Sequence, residues 1–226
     1  MRLVNVHITN FRCILDSGEF DIEPAKTIFV GINESGKSSL FHALQFLKPA
    51  VPFSVDFDTD VPTALTDLPD PEETTIVTGA FAIEDHDAAV IGEEFKGLTY
   101  WSNKPYSGSG YHGINNAPPR TNLAGIRDAL KVLETYLREK YSGGEDTKLL
   151  EAAELAKEYA DKKSNSAISV KMLNDIISLA EYVEAGENIP DAVSAAADHI
   201  RERLASNKKY NDALVYLNKN IPYFFM

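Results

Sequence analysis

Residues 31–38 read Gly31-Ile32-Asn33-Glu34-Ser35-Gly36-Lys37-Ser38, two glycines five positions apart with Lys and Ser directly after the second. This satisfies the G-x-x-x-x-G-K-[ST] pattern, whose physical purpose is to cradle phosphate. Backbone N–H groups from about Asn33 to Ser39, through Glu34, Ser35 and Gly36, can converge on a β-phosphate, helped by the positive end of the helix that follows. Lys37 supplies a point charge along the β- and γ-phosphates and is the candidate catalytic group. Ser38 offers a hydroxyl to Mg²⁺, and Ser39 reaches the α-phosphate. The ligands expected are ATP and Mg²⁺.

Such a cradle needs a strand to deliver it and a helix to carry it. Thr27-Ile28-Phe29-Val30 is a compact apolar run that predicts a buried strand leading into Gly31. Lys37 to Leu47 predicts a helix with Leu40, Ala43, Leu44 and Leu47 on one face, ended by Pro49. Upstream, Leu3 to Thr9 alternates as a half-buried strand, Asp16-Ser17-Gly18 reads as a turn, and Glu19 to Ile22 as a second strand. Residues 49 to 73 have no period and read as a surface connection. Strand patterns return at Thr74 to Ile83, and Leu98 to Ser102 with Gly110 to Ile114 predicts a hairpin bearing Trp101, Tyr106 and Tyr111 as aromatic pairs.

After Pro118-Pro119 the pattern becomes helical. Leu123, Ile126, Leu130, Leu133 and Leu137 follow a 3, 4, 3, 4 spacing, a seam of about two heptads that suits a helical interface or an internal core. Further helices are predicted at 145 to 162, 168 to 185 and 190 to 218. The last six residues, Ile221-Pro222-Tyr223-Phe224-Phe225-Met226, read as the start of a buried strand, and so as a sequence that continues in a longer protein or a second gene product.

Composition bounds the function. With 226 residues and 44% apolar content the chain can bury a sizeable core. Its formal charge of -12 has the wrong sign for gripping nucleic acid unaided. From Ser54 to Glu94 there is no Lys or Arg, and the twelve acids in that stretch match the whole excess. A single cysteine, Cys13, excludes an intrachain disulfide and reads as a small buried hydrophobe. No run approaches the ~18 apolar residues of a membrane helix, so a soluble cytoplasmic protein without membrane contact is expected.

The segment "NVHITNFRCI", closing on Asn10-Phe11-Arg12, followed by "GINESGKSSLFHALQFL", resembles the N-terminal part of the ABC-type ATPases of the SMC, RecF and OLD group. Asn33 and Ser38-Ser39 match that group's form. Glu34 stands where Gly is more usual, and Asn-Glu-Ser looks like OLD-family and related AAA-type ATPases. The strong resemblance covers about residues 1 to 48, with weaker support to about 115.

It implies an α/β fold: the N-terminal half of an ABC-type head, a mixed sheet with an antiparallel lobe, followed by an α-helical insertion or arm. The corresponding boundaries are 1–118 for the head lobe, 119–220 for the arm and 221–226 for a returning strand. It also implies that Arg12 approaches the nucleotide phosphates. The partners implied are a second head, in a homodimer or head-to-head assembly, and a C-terminal ATPase half or nuclease partner. Nucleic acid would be reached through that assembly, in DNA repair or antiphage defence, and hydrolysis by this chain alone would be weak.

Other segments carry less. Tyr141-Ser142-Gly143-Gly144-Glu145 looks like a signature loop, but no apolar strand ending in paired acids follows, so it reads as a helix-to-helix turn. Ala88 to Glu94 reads as a helix end or turn. Glu84-Asp85-His86-Asp87 reads as a solvated acidic turn whose side chains, on an extended backbone, cannot converge. The alternatives are a self-contained P-loop kinase or NTPase, or a nucleotide-dependent helical interaction module. A GTPase would need an Asn/Thr-Lys-x-Asp motif and a kinase an Arg-bearing lid; neither is visible.

Overall fold

The computed structural model describes residues 1–51, 54–65, 70–141, 147–162 and 167–224. These form two compact units, one of Met1–Ala117 with Ala213–Met226 and one of Pro118–Asp212. Among the described residues no helix is long and apolar enough to cross a membrane.

The first unit is α/β. Its five-stranded sheet has the order β2-β1-β3-β4-β5, with β1 Arg2–Phe11, β2 Ile14–Asp21, β3 Thr75–Ala82, β4 Thr99–Pro105 and β5 His112–Asn115. All four pairings are antiparallel. Helix α1, Lys37–Leu47, packs on the sheet through Ala43, Leu44 and Leu47. A single parallel bridge joins Pro49 to Phe224, where the Phe224 N–H donates to the Lys48 carbonyl, and nearby Ile221 is buried.

The alternation of β1 is broken by irregularities. Leu3, Val6, Ile8 and Phe11 are buried, and Val4 is not, because the register against β3 shifts between Leu3 and Asn5. Asp16-Ser17-Gly18 is not a turn between strands; it is an irregularity inside β2. Thr9 faces Asp16 and His7 faces Glu19, so Ser17 and Gly18 together oppose Ile8. The turn chemistry is used locally: Gly18 has φ 64°, its N–H donates to Asp16 Oδ1, and Ser17 Oγ accepts from the Ile8 N–H. The reversal itself is the two-residue connection Arg12-Cys13.

Two other expectations change. Thr27 to Val30 joins no sheet: Ile28 and Val30 are exposed, Thr27 Oγ1 accepts from the Glu23 N–H, and Phe29 is anchored edge-on between Phe20 and Phe41 at 5.6 and 5.7 Å. A strand of that composition is buried only when neighbours flank it, and no described strand does. The acidic connection, in turn, contains a short capped helix, α2 at Phe57–Asp60, in which Asp56 accepts from the Asp58 N–H. Phe57 stacks edge-on against Tyr106 at 5.1 Å, so Tyr106 serves this contact and not a hairpin pair, while Tyr111 is exposed.

The second unit is helical: α4 Arg127–Tyr141, α5 Thr147–Asp161, α6 Val170–Glu184 and the greater part of α7, Asp191–Lys219. (The seven-residue helix Asp85–Ile91 of the first unit is α3.) The seam Leu123, Ile126, Leu130, Leu133 and Leu137 is buried against α5, α6 and α7 side chains such as Ile176 and Ile200, and so is an internal core. Asn207, nearly buried, accepts from the Thr121 N–H and donates to the Thr121 carbonyl. Residues 142–146, the signature-like segment, lie outside the described residues. Leu130→Ala should leave a cavity costing about 2–5 kcal/mol, read as a lower urea midpoint with unchanged slope.

Candidate nucleotide-binding site

The start of α1 is built to leave donors open. Its N-cap is Gly36 at φ 86°, which has no side chain to cap with, and the first turn holds no acid. A Cβ on Gly36 would lie 2.9 Å from Cys13 Sγ, so both conformation and space demand glycine. At Gly31 a Cβ would meet Ser35 Oγ at 2.5 Å, which explains the first glycine of the motif.

A cavity of about 270 Å³ opens at this point, lined by Cys13, Asn33, Glu34, Gly36, Lys37, Ser38 and Ser39. Six of the expected cradle residues are therefore brought together. Ser35 does not line the cavity but accepts from Lys37 Nζ at 3.3 Å. The same ammonium donates to the carbonyls of Gly31 at 2.8 Å and Ile32 at 2.6 Å, so the loop is closed on its own lysine. Glu34 has φ 67°, a left-handed conformation strained for any residue with a Cβ.

Cys13 is not a buried hydrophobe. It follows the left-handed Arg12, φ 52°, and the turn carries its thiol to the surface of the cavity, 3.6 Å from Ser39 Oγ. Arg12 itself does not line the cavity. Its Nε donates to Asp60 Oδ1 at 2.8 Å and its Nη1 to His42 Nδ1, also at 2.8 Å, so this imidazole nitrogen is an acceptor. Burial pushes the Asp60 carboxyl up, but its hydrogen bond with Asp56 and the hydrogen bond and charge of Arg12 together hold it below the ordinary value.

Cys13, His42 and Asp60 are the residues that sequence reasoning missed. Cys13 carried a faint signal, adjacency to Arg12. Asp60 carried none, since it lies 48 positions from Arg12.

Glu84, His86 and Asp87 require a correction. They open helix α3, where Glu84 and Asp87 form a reciprocal capping box, and their ligand atoms do converge, within 4.8 Å of one another. The cause is helical instead of extended backbone. Asp87 is 1% exposed and accepts from the Met1 amine at 2.6 Å and the Glu84 N–H at 3.0 Å, so it is a paired structural acid and not a solvated one.

With this geometry in place, a family comparison is decisive: the model of the AAA ATPase domain matches residues 1–224. The chain belongs to that family. No match was found among curated protein sequences. Among solved structures, one from work on ATP-driven dimerization and DNA-stimulated activation of SMC ATPases is 10% identical, with a TM-score of 0.36, covering 87% of this chain and 99% of that chain. As an AAA ATPase domain the chain is a nucleotide-binding protein, and ATP use follows from the family. Ser38 sits exposed on the first turn of α1 beside Lys37. Its hydroxyl suits one position on a Mg²⁺ held mainly by nucleotide phosphates and water.

Two substitutions test the cradle in opposite directions. Gly36→Ala should raise the ATP Kd by about 5- to 30-fold, the equivalent of the 1–2 kcal/mol that a Cβ costs in left-handed backbone. Glu34→Gly should relieve strain of the same kind and remove a negative charge beside the phosphates, lowering the Kd in the same fluorescent-nucleotide titration.

Proposed function

We propose that this chain is the ATP-binding head segment of an OLD-like ATPase, acting within an assembly in nucleic-acid processing or antiphage defence. Hydrolysis then requires a second ATPase half or a partner head. One observation carries the reading: the groups that bind phosphate are assembled in one cavity, yet Glu34 is the one carboxylate among the described residues that line it.

Phosphoryl transfer to water needs a carboxylate or amide that orients the nucleophile, and charge at the γ-phosphate, each worth orders of magnitude in rate. Glu34 lies in the loop that wraps the phosphates. On this reading it faces the nucleotide and is on the wrong element to position a water beyond the γ-phosphate. Lys37, Ser38, Ser39 and the open N–H groups of α1 therefore bind and orient, with Arg12 as a further phosphate contact brought in from the β1–β2 turn. The missing carboxylate comes from another segment or another chain. The motif resemblance, in which two heads enclose ATP, supports a head-to-head dimer as the completing partner. Nucleic acid would be engaged by that assembly, since the net charge of -12 disfavours binding by this chain alone.

Purified chain should bind ATP with Mg²⁺ and turn it over negligibly, and Lys37→Ala should abolish binding in an isothermal titration. Light scattering with and without ATP reads the association. Robust Lys37-dependent turnover by a monomer would refute the reading.

A further inference from the structure

The turn between β1 and β2 and the end of β1 that leads into it are held by contacts from outside the hairpin. Asn10 at φ 54° and Arg12 at φ 52° both lie in the left-handed region, which Asn tolerates but which strains Arg12 and must be held from outside there. The Asn10 carbonyl accepts from the Tyr106 hydroxyl at 2.6 Å. The Arg12 backbone N–H donates to the Asp60 carbonyl, and its side chain to the Asp60 carboxylate. Phe57, one turn before Asp60, rests on the same Tyr106 ring. Tyr106, the turn, Asp60 and Phe57 thus form a closed ring of contacts.

From that ring two ties run to α1: Arg12 to His42, and Cys13 to Ser39. Asp60 is the member on which the ring closes. Its Oδ1 takes Arg12 and its Oδ2 accepts from the Asp56 N–H at 3.0 Å, so both carboxylate oxygens are committed. Its side chain is 15% exposed against 38% for Arg12, so the pair is shielded from water on the Asp60 side only.

We propose that Asp60, in the acidic connection, is a positioning residue of the nucleotide site: through Arg12 it clamps the β1–β2 turn against α1, so that the Cys13 wall of the cavity is formed before nucleotide arrives. The proposal rests on the reading of that cavity as the nucleotide site. Without the clamp, the strained turn relaxes, Cys13 leaves Gly36 and Ser39, and Arg12 loses its orientation. Nucleotide binding must then include the ordering of the turn, which weakens it.

The test uses the full chain. Asp60→Asn keeps the shape but cannot serve both partners, because one of its two polar atoms becomes a donor facing either Arg12 Nε or the Asp56 N–H. It should raise the ATP Kd about tenfold, the usual scale for a hydrogen bond to a charged group. Arg12→Ala should raise it at least as much, and adding Asp60→Asn to Arg12→Ala should change nothing further. Phe57→Leu, which loosens α2 without altering charge, should move the Kd in the same direction, and serves should Asp60→Asn unfold.

A second readout is local. Cys13 is the chain's single cysteine, so iodoacetamide alkylation reports on the turn alone. Asp60→Asn should alkylate several-fold faster than the wild type, with weaker protection by ATP. Lys37-dependent ATP binding combined with an unchanged or lower Kd in Asp60→Asn, or with unchanged alkylation, overturns this inference and leaves the nucleotide reading standing. ATP binding that survives Lys37→Ala overturns both.

Discussion

The seat of α1 on the sheet is the constraint from which the site follows. A Cβ on Gly79 of β3 would lie 2.8 Å from Leu47 Cδ1 and 3.1 Å from Cδ2, so the absence of a side chain there is the notch that Leu47 fills. Leu47 is at the C-terminal end of the helix and the cradle is at the other, about 15 Å away at 1.5 Å per residue. Fixing one end, with Ala43 and Leu44 buried a turn earlier, fixes the axis, and the axis decides where the open N–H groups point. A neighbouring stripe of the same helix, Ser39 and His42, meets the β1–β2 turn. One eleven-residue helix is thereby aimed by its apolar face and equipped by its polar one.

Strain is concentrated at the same place. Of the five left-handed residues other than glycine among those described, Asn10, Arg12 and Glu34 belong to the turn and the loop that border the cavity. Asn tolerates this conformation better than Arg or Glu do, and Asn10 and Arg12 are each held by a residue outside the turn. Tyr106 secures Asn10 and Asp60 secures Arg12. Around Glu34, Lys37 gathers the carbonyls of Gly31 and Ile32. Stability in the sheet and connection is in this way spent on geometry at the site.

What could be read from the sequence was what depends on neighbours in the chain. The cradle, α1 and the four long helices are local patterns, and their periods survive into the structure. The inward face of β1 was only half legible, because the irregularity at Leu3 and Asn5 changes its phase, and such shifts are set by the partner strand. Thr27 to Val30 has the composition of a buried strand, but burial is conferred by flanking strands and cannot be contained in four residues. Asp-Ser-Gly at 16–18 announced a turn, and the same conformational freedom served a bulge. Asp60 was illegible for a plainer reason. An acid in a run of acids shows no periodicity, and its partner is 48 residues away.

The closed loop around Lys37 bears on how binding proceeds. In the present arrangement its ammonium is satisfied by two neutral carbonyls and a hydroxyl. A phosphate oxygen offers the same lysine a charged acceptor, and charge-assisted bonds are roughly twice as strong as those to neutral groups. The exchange is favourable in that bond, but it frees the Gly31 and Ile32 carbonyls, which must turn to water or to new donors. Phosphate binding at the proposed site would therefore have to open the loop as it fills it, while the opposite wall, at Cys13 and Gly36, stays fixed under the proposed Asp60 clamp. A wall held in this way would confine the reorganisation to residues 31 to 35, so that the ordering cost would fall on five residues of loop and not be shared with the turn and the helix.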